Sequence, residues 1–259
     1  MVHVRPAWTV ESALSACEAG VSDTANALAH GVSVSTIRRW RRVYARLGSE
    51  RGQSQTTVAC PRCHGRPLDG AAYVELLGWY LGDGHISPGR RGVWNLHVFN
   101  DVRYRDLNAR IGDLMTRVKP GGRPHTRLKS GCLVTTVSWK HWPCLFPQHG
   151  PGKKHQRDIV LSPWQRTLVR RHPAALLTGL LHSDGCRVHN WTRKQVRGET
   201  RRYDYPRWQF SNRSEDILAL CCWALDLVGV AWRRSSPTVV SVSTRAGVAR
   251  VDALVGPKT

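Results

Sequence analysis

Acidic residues are scarce in this chain: 18 Asp and Glu stand against 39 Lys and Arg, a formal charge of +21 over 259 residues. That shortage argues against a neutral metabolic enzyme, because so cationic a surface is built to share its charge with a polyanion. Lysine is scarce too, with seven Lys against 32 Arg. The planar Arg fork suits phosphate oxygens and base edges better than an ammonium does, although a biased genome also enriches Arg. Long apolar runs are missing: the most apolar stretch, residues 217–232, is short and carries Asp226, so no membrane span is expected. Residues 1–10 lack the basic-then-apolar order of a secretory signal. Eight cysteines are present, two of them adjacent (Cys221, Cys222) and two in a CxxC. That is not a secreted disulfide framework, and a reduced, cytoplasmic protein is expected. A hydrophobic content of 41% is enough for a packed core in one large or two modest domains.

Residues 21–47 read as a helix-turn-helix. A first helix is expected over about 22–30 with Ser22 as its cap, then a break at Gly31-Val32-Ser33, then a second helix capped by Ser35 or Thr36. Ile37, Trp40, Tyr44 and Leu47 fall on one face of that helix. Arg38, Arg39, Arg41, Arg42 and Arg46 fill the other, with no acid among them. Such a helix places its first turn, Ser35 and Thr36, at base edges and its arginines on phosphates. A solvated basic face is the plainer alternative. The spacing of Ala27, Gly31, Ile37 and Trp40 resembles the helix-turn-helix family, so residues 1–50 are expected to form an all-α DNA-binding module.

Residues 51–70 are expected to be a linker, and they contain Cys60-Pro61-Arg62-Cys63-His64. A CxxC turn is half of a tetrahedral zinc site. No second CxxC follows. His64 is a candidate third ligand and Cys132 or Cys144 a distant one; two unmetallated thiols are the alternative.

From residue 71 the chain repeats itself. Leu76-Leu-Gly78-Trp-Tyr-Leu-Gly82-Asp83-Gly84 aligns with Leu177-Thr-Gly179-Leu-Leu-His-Ser183-Asp184-Gly185. Downstream, Phe99-Asn100 and Phe210-Ser211-Asn212 each precede an amphipathic helix. Its apolar positions are Leu107, Ile111, Leu114 and Val118 in one copy, and Ile217, Cys221, Ala224 and Val228 in the other. Small residues four apart, Gly78 with Gly82 and Gly179 with Ser183, let two helix backbones approach closely. Packed together, those helices would bring Asp83 and Asp184 to one place, with Gly84 and Gly185 leaving in left-handed geometry.

A carboxylate at a helix C-terminus is unfavourable by up to about 1 kcal/mol. Two of them about 5 Å apart repel by roughly 3 kcal/mol at an effective dielectric near 20. A shared divalent cation turns that cost into a binding site, and Mg²⁺ prefers such oxygen ligands. Asp-Gly is also a cheap turn signal, as Asp69-Gly70 shows.

The two segments resemble the LAGLIDADG motifs of homing endonucleases, at Leu76, Gly78, Asp83 and Gly84 in the first and Leu177, Gly179, Leu180, Asp184 and Gly185 in the second. The resemblance covers 71–259. It implies an α+β fold of two pseudo-symmetric repeats, 71–150 and 173–259, joined by a basic linker at 151–172, each a β-sheet backed by helices and together a saddle on DNA. It also implies that Asp83 and Asp184 hold Mg²⁺ for phosphodiester hydrolysis, helped by the carbonyls of Gly82 and Ser183. A supporting lysine late in a repeat is matched by Lys154 in Gly152-Lys153-Lys154, a segment that also reads as an ordinary basic loop. Repeat two shows no late loop matching it. The acid at the sixth motif position is replaced by Leu81 and His182.

The strands after each motif are the expected DNA surface. Asn95 and His97 alternate with Trp94, Leu96 and Val98. Arg207 and Gln209 alternate with Trp208 and Phe210, and Arg187, His189 and Arg193 share a parity in the strand before. Residues 151–213 hold 14 Lys and Arg against four acids. The leading expectation is a monomeric, site-specific, Mg²⁺-dependent endonuclease acting on double-stranded DNA, with Zn²⁺ a further candidate at Cys60 and Cys63. The alternatives are a non-cleaving DNA-binding transcriptional regulator on the same scaffold and an RNA-binding protein.

Overall fold

Capping side chains and glycine geometry set the limits of the first helices. The computed structural model describes residue 5, residues 7–47 and residues 60–258, apart from the side chains of residues 7 and 43–47. The expected places of the Tyr44, Arg46 and Leu47 side chains, and of linker residues 51–59, lie outside what is described. The chain divides into two units, Met1–Ala59 and Cys60–Thr259.

The first unit holds α1 (Ala7–Glu18), α2 (Asp23–Ala29) and α3 (Val34–Leu47). Ser22 caps α2, its hydroxyl accepting from the Ala25 amide at 3.2 Å. Gly31, at φ 58, turns the chain between α2 and α3. The helix α3 begins earlier than its sequence suggests. Ser33 is the side chain that accepts from the Thr36 amide, at 3.2 Å, so Ser35 and Thr36 stand inside the first turn rather than capping it. Val10, Ala13, Leu14, Ala27, Ile37 and Trp40 form a small core. The Nδ2 of buried Asn26 crosses it to donate to the Ala13 carbonyl at 2.7 Å, which pairs a donor that would be costly to leave unmet.

The second unit contains the repeat. Its elements are α4 (Pro61–His64), α5 (Gly70–Leu81), β1 (Gly84–Pro88), β2 (Trp94–Asp101), α6 (Arg105–Val118), β3 (His125–Lys129), β4 (Cys132–Trp139) and α7 (Trp142–Leu145). There follow α8 (Pro163–Arg171), α9 (Pro173–Asp184), β5 (Gly185–Val196), β6 (Glu199–Ser211), α10 (Glu215–Leu227), β7 (Arg233–Ser236), β8 (Val239–Val242) and α11 (Arg245–Val255). Both sheets are four-stranded and antiparallel, with orders β1-β2-β4-β3 and β5-β6-β8-β7. The same order arises because each helix–hairpin–helix–hairpin stretch threads identically.

Each motif helix is nearly all buried, which is why its sequence is apolar all round. Asp69 caps α5 through the Ala72 amide at 3.0 Å, so its Asp-Gly pair starts a motif helix rather than ending one. Leu107, Ile111, Leu114 and Val118 of α6, and Ile217, Cys221 and Ala224 of α10, face one shared core. The buried Gln165 amide donates to the Tyr73 hydroxyl at 2.7 Å, which itself donates to the Leu145 carbonyl at 2.5 Å. That chain ties α8 to α5 and α7. No helix among the described residues is long and apolar enough to cross a membrane.

Candidate active site

The two motif helices touch through their small residues. A Cβ on Gly78 would stand 2.9 Å from the Gly179 Cα, and one on Gly179 would stand 2.7 Å from the Trp79 amide nitrogen. Backbone occupies the space a side chain would need, so glycine is required at both positions. One turn later Gly82 abuts the Ser183 side chain, with the Asp184 carboxylate beside it. Close approach of α5 and α9 thus delivers Asp83 and Asp184 to a single site.

Gly84 and Gly185 are not in the left-handed region expected for them; Gly185 has φ −96. A different constraint demands glycine there. The strand β5 follows α9 directly and β1 follows α5 after two residues, and a Cβ on Gly185 would lie 2.7 Å from the Leu181 Cα. Gly84 meets Tyr80 in the same way.

The electrostatics of the site follow from burying charge. Desolvation first, then the Asp184 charge, raises the Asp83 pKa to about 6, against the opposing pull of Lys154 and Lys258. Asp184 is raised by burial as well, and the Asn212 amide, donating to its Oδ2 at 2.8 Å, works the other way. Lys154 donates to the Gly82 carbonyl at 2.6 Å and lies over the Tyr80 ring. Burial lowers its pKa to about 8.

Repeat two has its own lysine, contrary to the sequence reading. Lys258 donates to the Ser183 carbonyl at 3.1 Å and to the Gly185 carbonyl at 3.2 Å, and burial lowers its pKa. Gly82 and Ser183 are equivalent motif positions, so each lysine meets the carbonyl just before its acid. The available signal was the shared Gly-Pro before each lysine, Gly150-Pro151 and Gly256-Pro257. Both carbonyls therefore already accept an ammonium, which leaves one lone pair on each for any cation. A cavity of 520 Å³ opens beside Asp184, lined among others by His85, Lys154, Arg157 and Asn212. His85 was missed in the sequence; burial first, then Lys154 and Arg157, lowers its pKa.

The sheets place the other expected residues. Asn95 and His97 lie on the face of β2 away from buried Leu96 and Val98. There His97 bridges Ser87 and Thr136 at 2.9 and 2.8 Å, and Asn95 accepts from Ser138 at 2.6 Å. In repeat two Gln209 and Arg207 alternate with buried Trp208 and Phe210, although Arg207 is itself buried against Tyr205.

The face assigned to β5 needs correction. Arg187 pairs across the ladder with Trp208, His189 with Pro206 and Arg193 with Arg202. All three therefore point to the side opposite Arg207 and Gln209, because directly opposed residues share a face. Arg187 is held by Asp252 of α11 at 2.8 and 2.9 Å. The outer face of β5 carries Asn190, Thr192 and Lys194 instead, opposite Tyr205, Tyr203 and Arg201. β8 covers only Trp208–Ser211 of the long β5–β6 hairpin. Beyond that cover, exposed Trp191 is flanked by Arg193 and Arg202 at 5.4 and 5.2 Å from its ring centre.

Ser35, Arg38, Arg39, Arg41 and Arg42 are exposed on α3 and Thr36 is half-buried. The basic face has an acid after all, supplied by the neighbouring helix: Asp23 of α2 accepts from Arg38 at 3.0 Å and from Arg41 at 3.3 Å. Cys60 and Cys63 come together with His141 and Cys144. His64 accepts from the Cys60 amide instead, and Cys132 starts β4 at the strand's other end.

No protein-family model matches the chain, and no curated protein matches it. Among solved structures it is similar to the homing endonuclease I-DmoI in complex with DNA and Mn, with TM-score 0.48 and 13% identity over 73% of this chain and 98% of that one. It is also similar to the LAGLIDADG meganuclease I-AabMI bound to uncleaved DNA, with TM-score 0.44 and 11% identity over 70% and 82% of the two chains. The N-terminal LAGLIDADG domain of DUF199/WhiA gives TM-score 0.43 and 12% identity over 73% and 82%. The likeness is to LAGLIDADG proteins.

Proposed function

We propose that the protein is a divalent-cation-dependent DNA endonuclease that cuts both strands of a long site by phosphodiester hydrolysis. One observation carries the reading. Two half-buried acids stand at the ends of two packed helices, and each has its own lysine on the carbonyl that precedes it. Neither a structural ion pair nor a turn explains that duplication.

The residues fit Mg²⁺. Asp83 and Asp184 offer hard oxygen ligands whose charges oppose each other, and Asp83 is held near a pKa of 6 by burial and that repulsion. When bound there, the ion supplies neutralisation of phosphate charge and acidifies a bound water. Lys154 and Lys258 hold positive charge where an attacked phosphate would gain negative charge. With its pKa near 8, Lys154 also exchanges a proton at Nζ near neutral pH. Asn212 fixes one oxygen of Asp184.

The outer sheet faces and the β5–β6 arm supply the DNA surface. Gln209, Asn190 and Lys194 reach base edges or phosphates, and Trp191 with its two arginines offers an amphipathic tip. In the first unit, α2 and α3 act as a helix-turn-helix, with Ser35 and Thr36 toward bases and Arg38, Arg39, Arg41 and Arg42 toward phosphates. Both motif copies lie in one chain, so the protein works as a monomer. The non-cleaving regulator is favoured by one feature, that basic helical unit, which no hydrolytic step needs.

The test is incubation of a randomised duplex-DNA library with Mg²⁺, comparing wild type with Asp83→Asn/Asp184→Asn and sequencing the ends. Discrete ends from the wild type alone are expected. No ends from proteins that both retain duplex DNA would overturn cleavage and leave the regulator.

A further inference from the structure

Three cysteines and a histidine from distant parts of the chain converge beside the first sheet. Cys60 immediately precedes the single turn of α4 and Cys63 lies within it, His141 follows β4, and Cys144 lies in α7. Their candidate ligand atoms all lie within 4.8 Å of one another. The Cys63 and Cys144 sulfurs are 3.5 Å apart, and each is 3.6 Å from His141 Nδ1.

Those separations match a coordination polyhedron. A tetrahedral ion with bonds of about 2.3 Å to sulfur and about 2.0 Å to nitrogen has edges of about 3.8 Å between sulfurs and about 3.5 Å between sulfur and nitrogen. A disulfide would need the sulfurs at about 2.05 Å and would leave the other thiol and the imidazole unexplained. Burial raises the Cys60 pKa, and the backbone amides of Cys63 and Arg62, which donate to its sulfur, pull the other way. His141 is held edge-on by His64 and Trp139, with ring centres 5.4 and 5.5 Å away.

We propose that Cys60, Cys63, His141 and Cys144 bind one structural zinc ion. Three thiolates and an imidazole select a soft, tetrahedral metal over Mg²⁺, and four protein ligands leave no open position for water or substrate. The ion joins Cys60, where the second unit begins, to the α7 turn, whose Trp142 and Leu145 are fully buried. It thereby fixes the approach to α5 and the chain that runs on to Lys154. This assignment stands whether or not the protein cuts DNA.

The experiment uses the full chain purified without chelators, with metal content measured by inductively coupled plasma mass spectrometry. One zinc per chain is expected. Cys63→Ser and Cys144→Ser should each remove it, while Cys132→Ser and Asp83→Asn/Asp184→Asn keep it. Exchange of the wild type with Co²⁺ should give an intense thiolate-to-cobalt charge-transfer band and tetrahedral visible bands, a readout that needs no variant to fold. Wild type without stoichiometric zinc and without that band would overturn the proposal. So would iron in place of zinc, a Cys63–Cys144 disulfide found by mass spectrometry, or full zinc retention by Cys63→Ser.

Discussion

Replacing Asp83 by Asn should change how stability depends on pH, because the folded protein holds that carboxyl protonated longer than the unfolded chain does. Its pKa rises from 3.8 to about 6 on folding. A raised folded pKa contributes stability that is fully present below pH ~4 and lost as pH climbs through ~6. The shift corresponds to about 3 kcal/mol, and solvent reaching the half-buried group trims this to about 2 kcal/mol. Lys154, lowered by burial to about 8, acts in a separate window. Its folded form loses its proton first, so stability recovers only between pH ~8 and ~10. In the absence of divalent cation, the stability difference between Asp83→Asn and wild type should therefore move in the variant's favour by about 2 kcal/mol between pH 4 and pH 7.5. Urea denaturation of both proteins in chelator at several pH values measures this. A difference that stays flat with pH would refute the burial and repulsion argument. Mg²⁺ added at pH 7.5 should raise the wild-type midpoint more than the variant's, since only a ligand that prefers the folded state shifts the equilibrium.

Two other outcomes follow from the same geometry. Gly179→Ala forces a methyl against the α5 backbone, 2.7 Å from the Trp79 nitrogen, and should lower stability by about 3 kcal/mol or more, visible as a melting-temperature drop in calorimetry. On the proposed function, Lys258→Ala should turn double-strand cleavage toward nicking, because it removes the lysine of one repeat and leaves Lys154 in the other; supercoiled plasmid carrying the target would accumulate as open circles.

What was legible in the sequence was local. The motif acids stood out because helix periodicity and small residues four apart lie within nine-residue windows, and Ser22 marked its cap by side-chain chemistry alone. What failed involved relations between segments. The parity of β5 within its strand was read correctly, but which face it shares with β6 is set by hairpin register, through the two-residue Arg197-Gly198 turn with φ values of 53 and 85. The cap of α3 moved to Ser33 because several hydroxyls compete in Ser33-Val-Ser-Thr36, and sequence order does not say which one accepts.

By itself the sequence determined the repeat, the basic character, the candidate acids and the CxxC, since each is a matter of residue type and spacing along one stretch of chain. Only the tertiary structure decided what meets what. It brought Lys258 to Ser183 and turned Arg187 toward Asp252. It also carried His141 and Cys144 to a thiol 78 and 81 residues before them. The reason is physical: a polar side chain takes whatever partner packing places within about 3 Å, and that partner comes from the folded core rather than from neighbours in sequence.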